Sequence, residues 1–310
     1  MSKIEITVQQ YLKMRRSLGF KLLNEGFLLP QFVDFLQQRG SDFITVDLSL
    51  EWAMQPQKCL PAHWGRRLSI IRIFASYCST IDPRTEIPSQ YLLPHRYHRK
   101  TPYIYSDQEV LHLLEAAVDL SSPVGLRAAT YETLFGLLSA TGMRIGETIS
   151  LDIQDVDLTK GILTVRHSKF GKSRLLPIHK SVQYKLKAYE SLRDRVIAVP
   201  KARSFFISEA GHRLTYGIVR HTFIKLSHQI GLRNSLEKHG PRLHDFRHTF
   251  TVKTLLRWYQ SSVNVEQRMP YLSTYLGHRH VKDTYWYLTA VPELLKLVTD
   301  RLDIFKGGLP

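Results

Sequence analysis

The first stretch of the chain repeats apolar residues with the period of an α-helix. Ile4, Val8, Tyr11 and Leu12 recur at helical spacing, so they would share one face of a helix. A second apolar face follows a glycine-containing break and comprises Leu28, Phe32, Phe35 and Leu36. The pattern predicts helices across residues 4–38.

Residues 63–79 repeat this pattern and end before two prolines. Their apolar face is made by Leu68, Ile71, Phe74, Ala75 and Cys78. The opposite face includes Arg66, Arg67 and Arg72. Asp82-Pro83 and Ile87-Pro88 then interrupt regular structure, so we predict that residues 1–90 form a small all-helical domain.

Residues 91–105 are predicted to be a linker. Pro94 and Pro102 bracket a basic and aromatic run that includes Arg96, His98, Arg99 and Lys100. Such a charge run is usually a solvated connector. Between two basic domains it could also follow a phosphate backbone, and we favour that interpretation.

The pattern from residue 106 to 310 predicts a second domain that is mostly helical. Ser106 and Glu109 have the spacing of a capping box, and residues 127–150 continue as helix. The period then changes to that of two short strands at 162–165 and 174–178. Further helices are predicted at 181–197, 216–230, 244–259, 269–276, 281–288 and 292–304. The predicted fold is mainly α with a small antiparallel β-sheet.

Charge points to a polyanionic partner. The 310 residues include 43 Lys and Arg against 27 Asp and Glu, a formal net charge of +16. The excess is present in both halves of the chain, which suits a polyanion such as duplex DNA. Cys59 and Cys78 lack the spacing of a zinc site or disulfide framework. No apolar run approaches the roughly 20 residues that span a bilayer, so we expect a cytoplasmic protein without a membrane partner.

Several groups in the second domain could act on a phosphodiester. Arg144 stands in the motif T-G-M-R-I-G-E, where it could equally form an ion pair with Glu147. His244 and Arg247 are three residues apart, so a helix would place both on one face. Arginine forks suit the non-bridging oxygens of a phosphate.

The remaining candidates have close rivals. Lys169 and Lys172 both lie in the predicted turn between the strands, where lysines are often merely solvated. Tyr287 follows His278 of the motif L-G-H by nine residues, and tyrosine is a competent covalent nucleophile. Tyr285 is the rival nucleophile, and an aromatic cluster of this kind is more often part of a core.

In this order and at these spacings, the residues resemble those of the tyrosine recombinase (phage integrase) family. The matching features are the arginine of T-G-x-R-x-x-E, a lysine in a β-turn, H-x-x-R, L-G-H and the later tyrosine. The resemblance covers residues 105–290 by motif and residues 1–90 by architecture alone.

The resemblance implies a role for each site residue. Arg144 and Arg247 would clamp the scissile phosphate, and His278 would donate a hydrogen bond to it. Tyr287 would attack phosphorus and form a 3′-phosphotyrosyl link. His244 would accept the phenolic proton, and Lys169 would protonate the departing 5′-oxygen. The chemistry needs no cofactor, metal or ATP, and the sequence contains no P-loop.

The resemblance also implies an assembly on DNA. Two domains would form a C-shaped clamp around duplex DNA, with 1–90 as a core-binding domain and 106–310 as the catalytic domain. DNA contacts are expected from Arg66, Arg67, Arg72, Arg96, His98, Arg99, Lys100 and Lys172. Four protomers would assemble on specific recombination sites, with or without partner recombinases.

The amphipathic segment after Tyr287 has two interpretations. It would either pack on its own domain or, as the resemblance implies, dock on a neighbouring protomer. Two other functions remain open at this point: a type IB topoisomerase, and a DNA-binding accessory protein without catalysis.

Overall fold

The computed structural model describes residues 2–94, 101–166, 173–234, 240–261 and 263–306. The chain divides into two compact units, residues 1–100 and 101–310. Six of the predicted site residues lie outside the described residues: Arg96, His98, Arg99, Lys100, Lys169 and Lys172. None of the described helices is long and apolar enough to cross a membrane.

Residues 2–94, the described part of the N-terminal unit, form four helices. They are α1 (Lys3–Ser17), α2 (Leu23–Gln38), α3 (Val46–Met54) and α4 (Pro61–Cys78). The predicted apolar faces form its core, in which Phe32, Leu36, Ile71 and Phe74 are fully buried. Helix α3 did not stand out in the sequence pattern. It is capped by the Thr45 side chain, which accepts from the Leu48 backbone N–H.

Arg67 corrects the expectation of an arginine-lined DNA face on α4. Its side chain is buried, with the guanidinium carbon 3.5 Å from the centre of the Trp52 ring. The same group donates to the Trp52 carbonyl at 2.9 Å. A buried guanidinium stacked on an aromatic ring packs the unit and is not positioned for phosphate. Arg66 is exposed and Arg72 is half-buried.

The C-terminal unit begins with helices that frame its first core. They are α5 (Asp107–Val118), α6 (Leu126–Thr141), α7 (Ile145–Ile149), α8 (Lys180–Val196) and α9 (Tyr216–Gln229). The predicted capping box is present at α5, where the side chains of Ser106 and Glu109 bond each other's backbone N–H groups. Leu134, Phe135 and Leu138 of α6 are fully buried in this core.

A three-stranded antiparallel sheet lies between α7 and α8 along the chain. Its strands are β1 (Val156–Asp157), β2 (Ile162–Val165) and β3 (Arg174–Pro177), in the order β1-β2-β3. Leu163 pairs with Leu176 and Val165 pairs with Arg174. The predicted hairpin is therefore confirmed, and β1 adds a short edge strand.

The last four helices form a second core in the same unit. They are α10 (Asp245–Gln260), α11 (Val265–Leu276), α12 (Lys282–Ala290) and α13 (Pro292–Lys306). Helix α11 starts earlier than predicted because the Asn264 side chain caps it through the Gln267 N–H. Helix α13 packs against α10 and α12, and Leu294 is fully buried there. In this structure the amphipathic tail covers its own unit.

Arg144 differs from the sequence expectation in its local structure. It was predicted within a helix, but Gly142 ends α6 with a left-handed backbone and Arg144 precedes α7 in an extended conformation. The predicted ion pair to Glu147 is nevertheless present, at 2.7 Å. The break turns the guanidinium toward the end of α11.

Candidate active site

Three arginines converge on the C-terminal end of α11. Arg174 donates to the Tyr275 carbonyl at 2.8 Å, Arg247 to the Leu276 carbonyl at 2.6 Å and Arg144 to the Gly277 carbonyl at 3.2 Å. The last carbonyls of a helix lack partners within the helix and carry partial negative charge. They are therefore suitable acceptors for cations, and they hold three guanidiniums side by side.

Two glycines with left-handed backbone make this arrangement possible. Gly142 has φ of +61° and its carbonyl accepts from Arg247 at 3.0 Å. Gly277 has φ of +68°, and a Cβ there would lie 2.7 Å from the Arg174 guanidinium. At Gly142 a Cβ would lie 2.7 Å from the Phe250 ring. Both T-G-x-R and L-G-H thus need glycine for conformation and for space.

Glu147 is the counter-ion within this group. It is buried and lies 2.7 Å from Arg144 and 2.8 Å from Arg174. Burial favours the neutral acid, but hydrogen bonds and charge from Arg174 and then Arg144 outweigh it and lower the pKa of Glu147. One carboxylate therefore serves two arginines, which leaves the group with excess positive charge.

Arg247 lacks a carboxylate partner of its own in the described contacts. Its side chain is 1 % exposed, and its two recorded acceptors are backbone carbonyls. Burial, and then the positive charge of Arg144, lower the pKa of Arg247 to about 9. A group of buried cations in this state would be stabilised by an anion.

His278 follows Gly277 and is fixed through one ring nitrogen. Its Nδ1 lies 2.7 Å from the hydroxyl of Thr284, which is fully buried. This contact occupies Nδ1, so Nε2 is the ring nitrogen that could donate to a ligand. Burial, followed by the charges of Arg247 and Arg144, lowers the pKa of His278 to about 3. The imidazole is therefore neutral near pH 7 and can donate through only one nitrogen.

His244 lies at the N-terminal end of α10 with part of its ring open to solvent. Protein atoms around the rest of the ring, and then the charges of His248 and Arg247, lower its pKa to about 4. Its ring centre is 4.8 Å from that of His248. His244 is thus a neutral imidazole at the open side of the cationic group.

Tyr287 is buried, and its hydroxyl oxygen lies 2.8 Å from Nδ1 of His248. It also interacts electrostatically with Arg247. Tyr285, the rival nucleophile, is 42 % exposed on another side of α12. The position of the phenol beside an imidazole and near Arg247 favours Tyr287 as the reactive tyrosine.

The structure brings five predicted residues into one site: Arg144, His244, Arg247, His278 and Tyr287. It adds Arg174 and His248, to which the sequence analysis gave no role. Arg174 is one basic residue of a predicted strand, and the spacing of four residues between His244 and His248 does not show which neighbouring element each of them faces. Only the packing of α12 against α10 shows that His248 faces the tyrosine.

The site can bind an anion and present a phenol to it. Several hydrogen-bond donors from guanidinium and imidazole groups surround one region, and the helix end holds them in fixed geometry. Such preorganised donors stabilise negative charge that develops during a reaction. The tyrosine provides a nucleophile beside a nitrogen base.

Comparisons with known proteins match the chain to one family. The model of the phage integrase family matches residues 104–293. The chain is 46% identical to a Sinorhizobium fredii protein named integrase/recombinase y4rB. The match extends over 307 residues and covers 98% of each chain. It is also 29% identical to tyrosine recombinase XerD of Staphylococcus epidermidis. That match extends over 224 residues and covers 72% of this chain and 70% of XerD.

Solved structures share the fold. The XerH site-specific recombinase bound to its difH substrate after cleavage gives a TM-score of 0.61 at 20% identity, covering 89% of this chain and 78% of that chain. The integrase of transposon Tn1549 bound to transposon end DNA gives 0.62 at 17% identity, covering 96% and 99%.

Proposed function

Because the chain belongs to the phage integrase family of tyrosine recombinases, we propose that it cuts and rejoins duplex DNA at specific sites through a covalent 3′-phosphotyrosine. The observation that carries this proposal is the group of arginines at the C-terminal end of α11, which lies near the buried phenol of Tyr287. Arg144 and Arg247 donate to neighbouring carbonyls of α11, and Tyr287 interacts electrostatically with Arg247.

The scissile phosphate binds against Arg144, Arg247 and His278. The guanidiniums donate to its non-bridging oxygens and stabilise the charge that grows on them in the transition state. His278 donates through Nε2, the nitrogen left by its contact with Thr284. The depressed pKa values of Arg247 and His278 support this assignment, because a bound phosphate would offset the crowding of positive charge.

Cleavage exchanges one phosphodiester bond for another. The Tyr287 oxygen bonds to phosphorus, the bond from phosphorus to the 5′-oxygen breaks, and the phenolic proton passes to a nitrogen base. Lys169 gives a proton to the departing 5′-oxygen, with Lys172 as its rival. Both lysines lie outside the described residues, but Arg174 ties the start of β3 to the site through Glu147. Rejoining reverses these steps without ATP or a metal ion.

DNA binding extends beyond the catalytic residues. We assign residues 1–90 to core binding, 91–105 to a basic linker and 106–310 to catalysis. Arg66, Arg72, Arg96, His98, Arg99 and Lys100 would contact the phosphate backbone, and Arg67 is left out because it is buried. The net charge of +16 supports such an extended contact. Four protomers act together on paired sites in the cytoplasm.

The biological outcome is either movement of a mobile element or resolution of a replicon. The relative in Sinorhizobium fredii is named integrase/recombinase. The structural neighbours include a transposon integrase and Xer recombinases. Both uses need the same strand cleavage and joining.

The test of this function is covalent capture. Duplexes that bind the full chain are selected from a randomised library and rebuilt with a nick beside each candidate phosphate, so that cleavage releases a short strand and cannot reverse. We expect a protein–DNA adduct that survives denaturation, and its digestion should place the nucleotide on Tyr287.

Two tyrosine variants make the test specific. Tyr287→Phe should form no adduct, whereas the matched control Tyr285→Phe should form it at the wild-type rate. An adduct that persists in Tyr287→Phe would contradict the assigned nucleophile. Selected duplexes that bind without any adduct would favour an accessory protein, and relaxation of supercoiled plasmids lacking the selected site would favour a topoisomerase.

A further inference from the structure

His248 contacts the reacting atom of the proposed nucleophile. Its Nδ1 is 2.8 Å from the Tyr287 hydroxyl oxygen, a normal hydrogen-bond distance. The motif H-x-x-R includes His244 and Arg247 and ends before His248. The next residue, His248, faces the tyrosine because α12 packs against α10 on that side.

Asp245 favours the tautomer in which Nδ1 accepts. Its carboxylate oxygen lies 3.9 Å from Nε2 of His248 and is buried. Arg242 fixes this carboxylate through its backbone N–H at 2.7 Å and its guanidinium at 3.0 Å. Negative charge on the Nε2 side favours a proton on Nε2, so the unprotonated Nδ1 faces the phenol.

The environment of His248 suits proton transfer. Its side chain is only 12 % exposed, and its ring packs against Trp286 and Tyr287 with centre distances of 5.9 and 5.5 Å. The phenol and the imidazole therefore meet in a largely dry contact. Asp245 would stabilise the imidazolium that forms when the proton arrives.

His244 has the opposite placement. Part of its ring is open to solvent at the cationic side of the site. Its ring meets that of His248 edge to face, with centres 4.8 Å apart. This position suits a hydrogen bond to bound phosphate rather than a contact with the phenol.

Building on the proposed function, we propose that His248 is the general base that accepts the proton of Tyr287. As the Tyr287 oxygen bonds to phosphorus, its proton moves to Nδ1 of His248 and the bond to the 5′-oxygen breaks. The 5′-oxygen takes a proton from the general acid of the site. During rejoining His248 returns its proton to the tyrosine. In this scheme His244 hydrogen-bonds to the bound phosphate.

The test separates proton transfer from positioning. His248→Asn places an amide oxygen near the position of Nδ1, so it keeps a hydrogen-bond acceptor but removes the base. His244→Asn is the matched control on the same helix. Each is combined with Tyr287→difluorotyrosine, whose phenol is more acidic and needs a base less. The readout is the single-turnover rate of adduct formation on the nicked, selected duplex at saturating protein.

We expect His248→Asn to lower this rate by about 10²- to 10⁴-fold, the usual contribution of a general base. Difluorotyrosine should restore most of that loss. His244→Asn should also slow cleavage, but difluorotyrosine should not restore it, because a phosphate contact is not replaced by a more acidic nucleophile.

Three outcomes would overturn the inference. The first is a wild-type rate in His248→Asn. The second is a slow rate in His248→Asn that difluorotyrosine leaves unchanged, which would make His248 a positioning residue only. The third is rescue of His244→Asn instead, which would assign the base to His244. In all three the wild-type chain still forms its adduct, whereas failure of the proposed function would leave the wild type without one.

Discussion

The N-terminal unit buries Arg67 and the C-terminal unit buries Arg247, and the surroundings of the two guanidiniums differ in kind. Arg67 stacks on Trp52 and donates to a carbonyl of the same residue. Arg247 also donates to carbonyls, but it lies near Arg144, and positive charge adds to burial in lowering its pKa. For Arg67, burial lowers the pKa and no neighbouring cation adds to that effect, while Cys59 opposes it.

This difference distinguishes packing from ligand binding. An aromatic face and a carbonyl stabilise a buried guanidinium without any further partner. Cations held together by helix carbonyls, with one shared carboxylate, remain short of negative charge. The carbonyls at the end of α11 hold these arginines together in the folded chain. A bound phosphate would stabilise this group more than it would stabilise Arg67.

The largest expected effect is on catalysis. Arg247→Lys keeps a positive charge but loses the planar fork that reaches two carbonyls and a phosphate. We expect the single-turnover cleavage rate at saturating DNA to fall by at least ~10²-fold, as for the loss of one donor to a developing oxyanion. Arg67→Lys should leave that rate within about threefold of wild type, because the recorded contacts of Arg67 are with Trp52 of its own unit and with none of the catalytic side chains. Equal losses in both variants would remove the distinction between the two arginines.

A smaller effect is expected on stability. Arg67→Met keeps an apolar stem but removes the cation over Trp52 and leaves the Trp52 carbonyl without this donor. We expect the free energy of unfolding of the full chain to fall by about 1–3 kcal/mol, measured by denaturant titration followed by tryptophan fluorescence. The cleavage rate at saturating DNA should not change. Unchanged stability together with weaker DNA binding would instead place Arg67 on the DNA surface.

The smallest effect is the pH dependence of folding stability that arises from His278. The pKa of His278 is about 3 in the folded chain, below the ordinary value of 6.5. Below pH 6.5 the unfolded chain therefore binds a proton that the folded chain does not. Stability should fall as pH decreases through this window, by up to about 1.4 kcal/mol per pH unit from this residue.

The contribution of His278 to this pH dependence is isolated by comparing the wild type with a variant that lacks the imidazole. Unfolding of the wild type and of His278→Gln is compared at pH 7 and pH 5.5, because His244, whose pKa is also lowered, loses stability over the same range. The wild type should lose more than the variant between these two values. An equal loss would mean that the half-buried His278 titrates as it does in the unfolded chain. Arg67 has no counterpart to this effect, since its guanidinium stays charged across the range.

Local patterns were sufficient for much of the fold. Helical periodicity located the faces that carry Phe32, Leu36 and Phe74, and these residues are buried as expected. The change of period at residues 162–178 located the β2–β3 hairpin. The capping box at Ser106 marked the start of α5 correctly. Each of these signals depends on residues within about one turn or one strand, which is why sequence reasoning reaches them.

Contacts between residues far apart in the chain could not be predicted from these local patterns. Position on α4 placed Arg67 among exposed arginines, but Trp52 comes from a different helix and covers it. Arg174 was one basic residue among many until the sheet brought it to Glu147 and to the end of α11. The helical period places His248 one turn along α10 from His244, and only the packing of α12 shows that its partner is Tyr287.

By itself the sequence determined the helical and strand elements, the basic character and the order of the site residues, because these follow from spacing and residue type. The tertiary structure decided which arginine stacks on a tryptophan and which lies among other cations, and which histidine meets the tyrosine. Those outcomes depend on residues far apart in the chain, such as Gly142, Arg247 and Leu276, that meet only when the helices pack. Side-chain environment, not residue identity, separates the two uses of arginine.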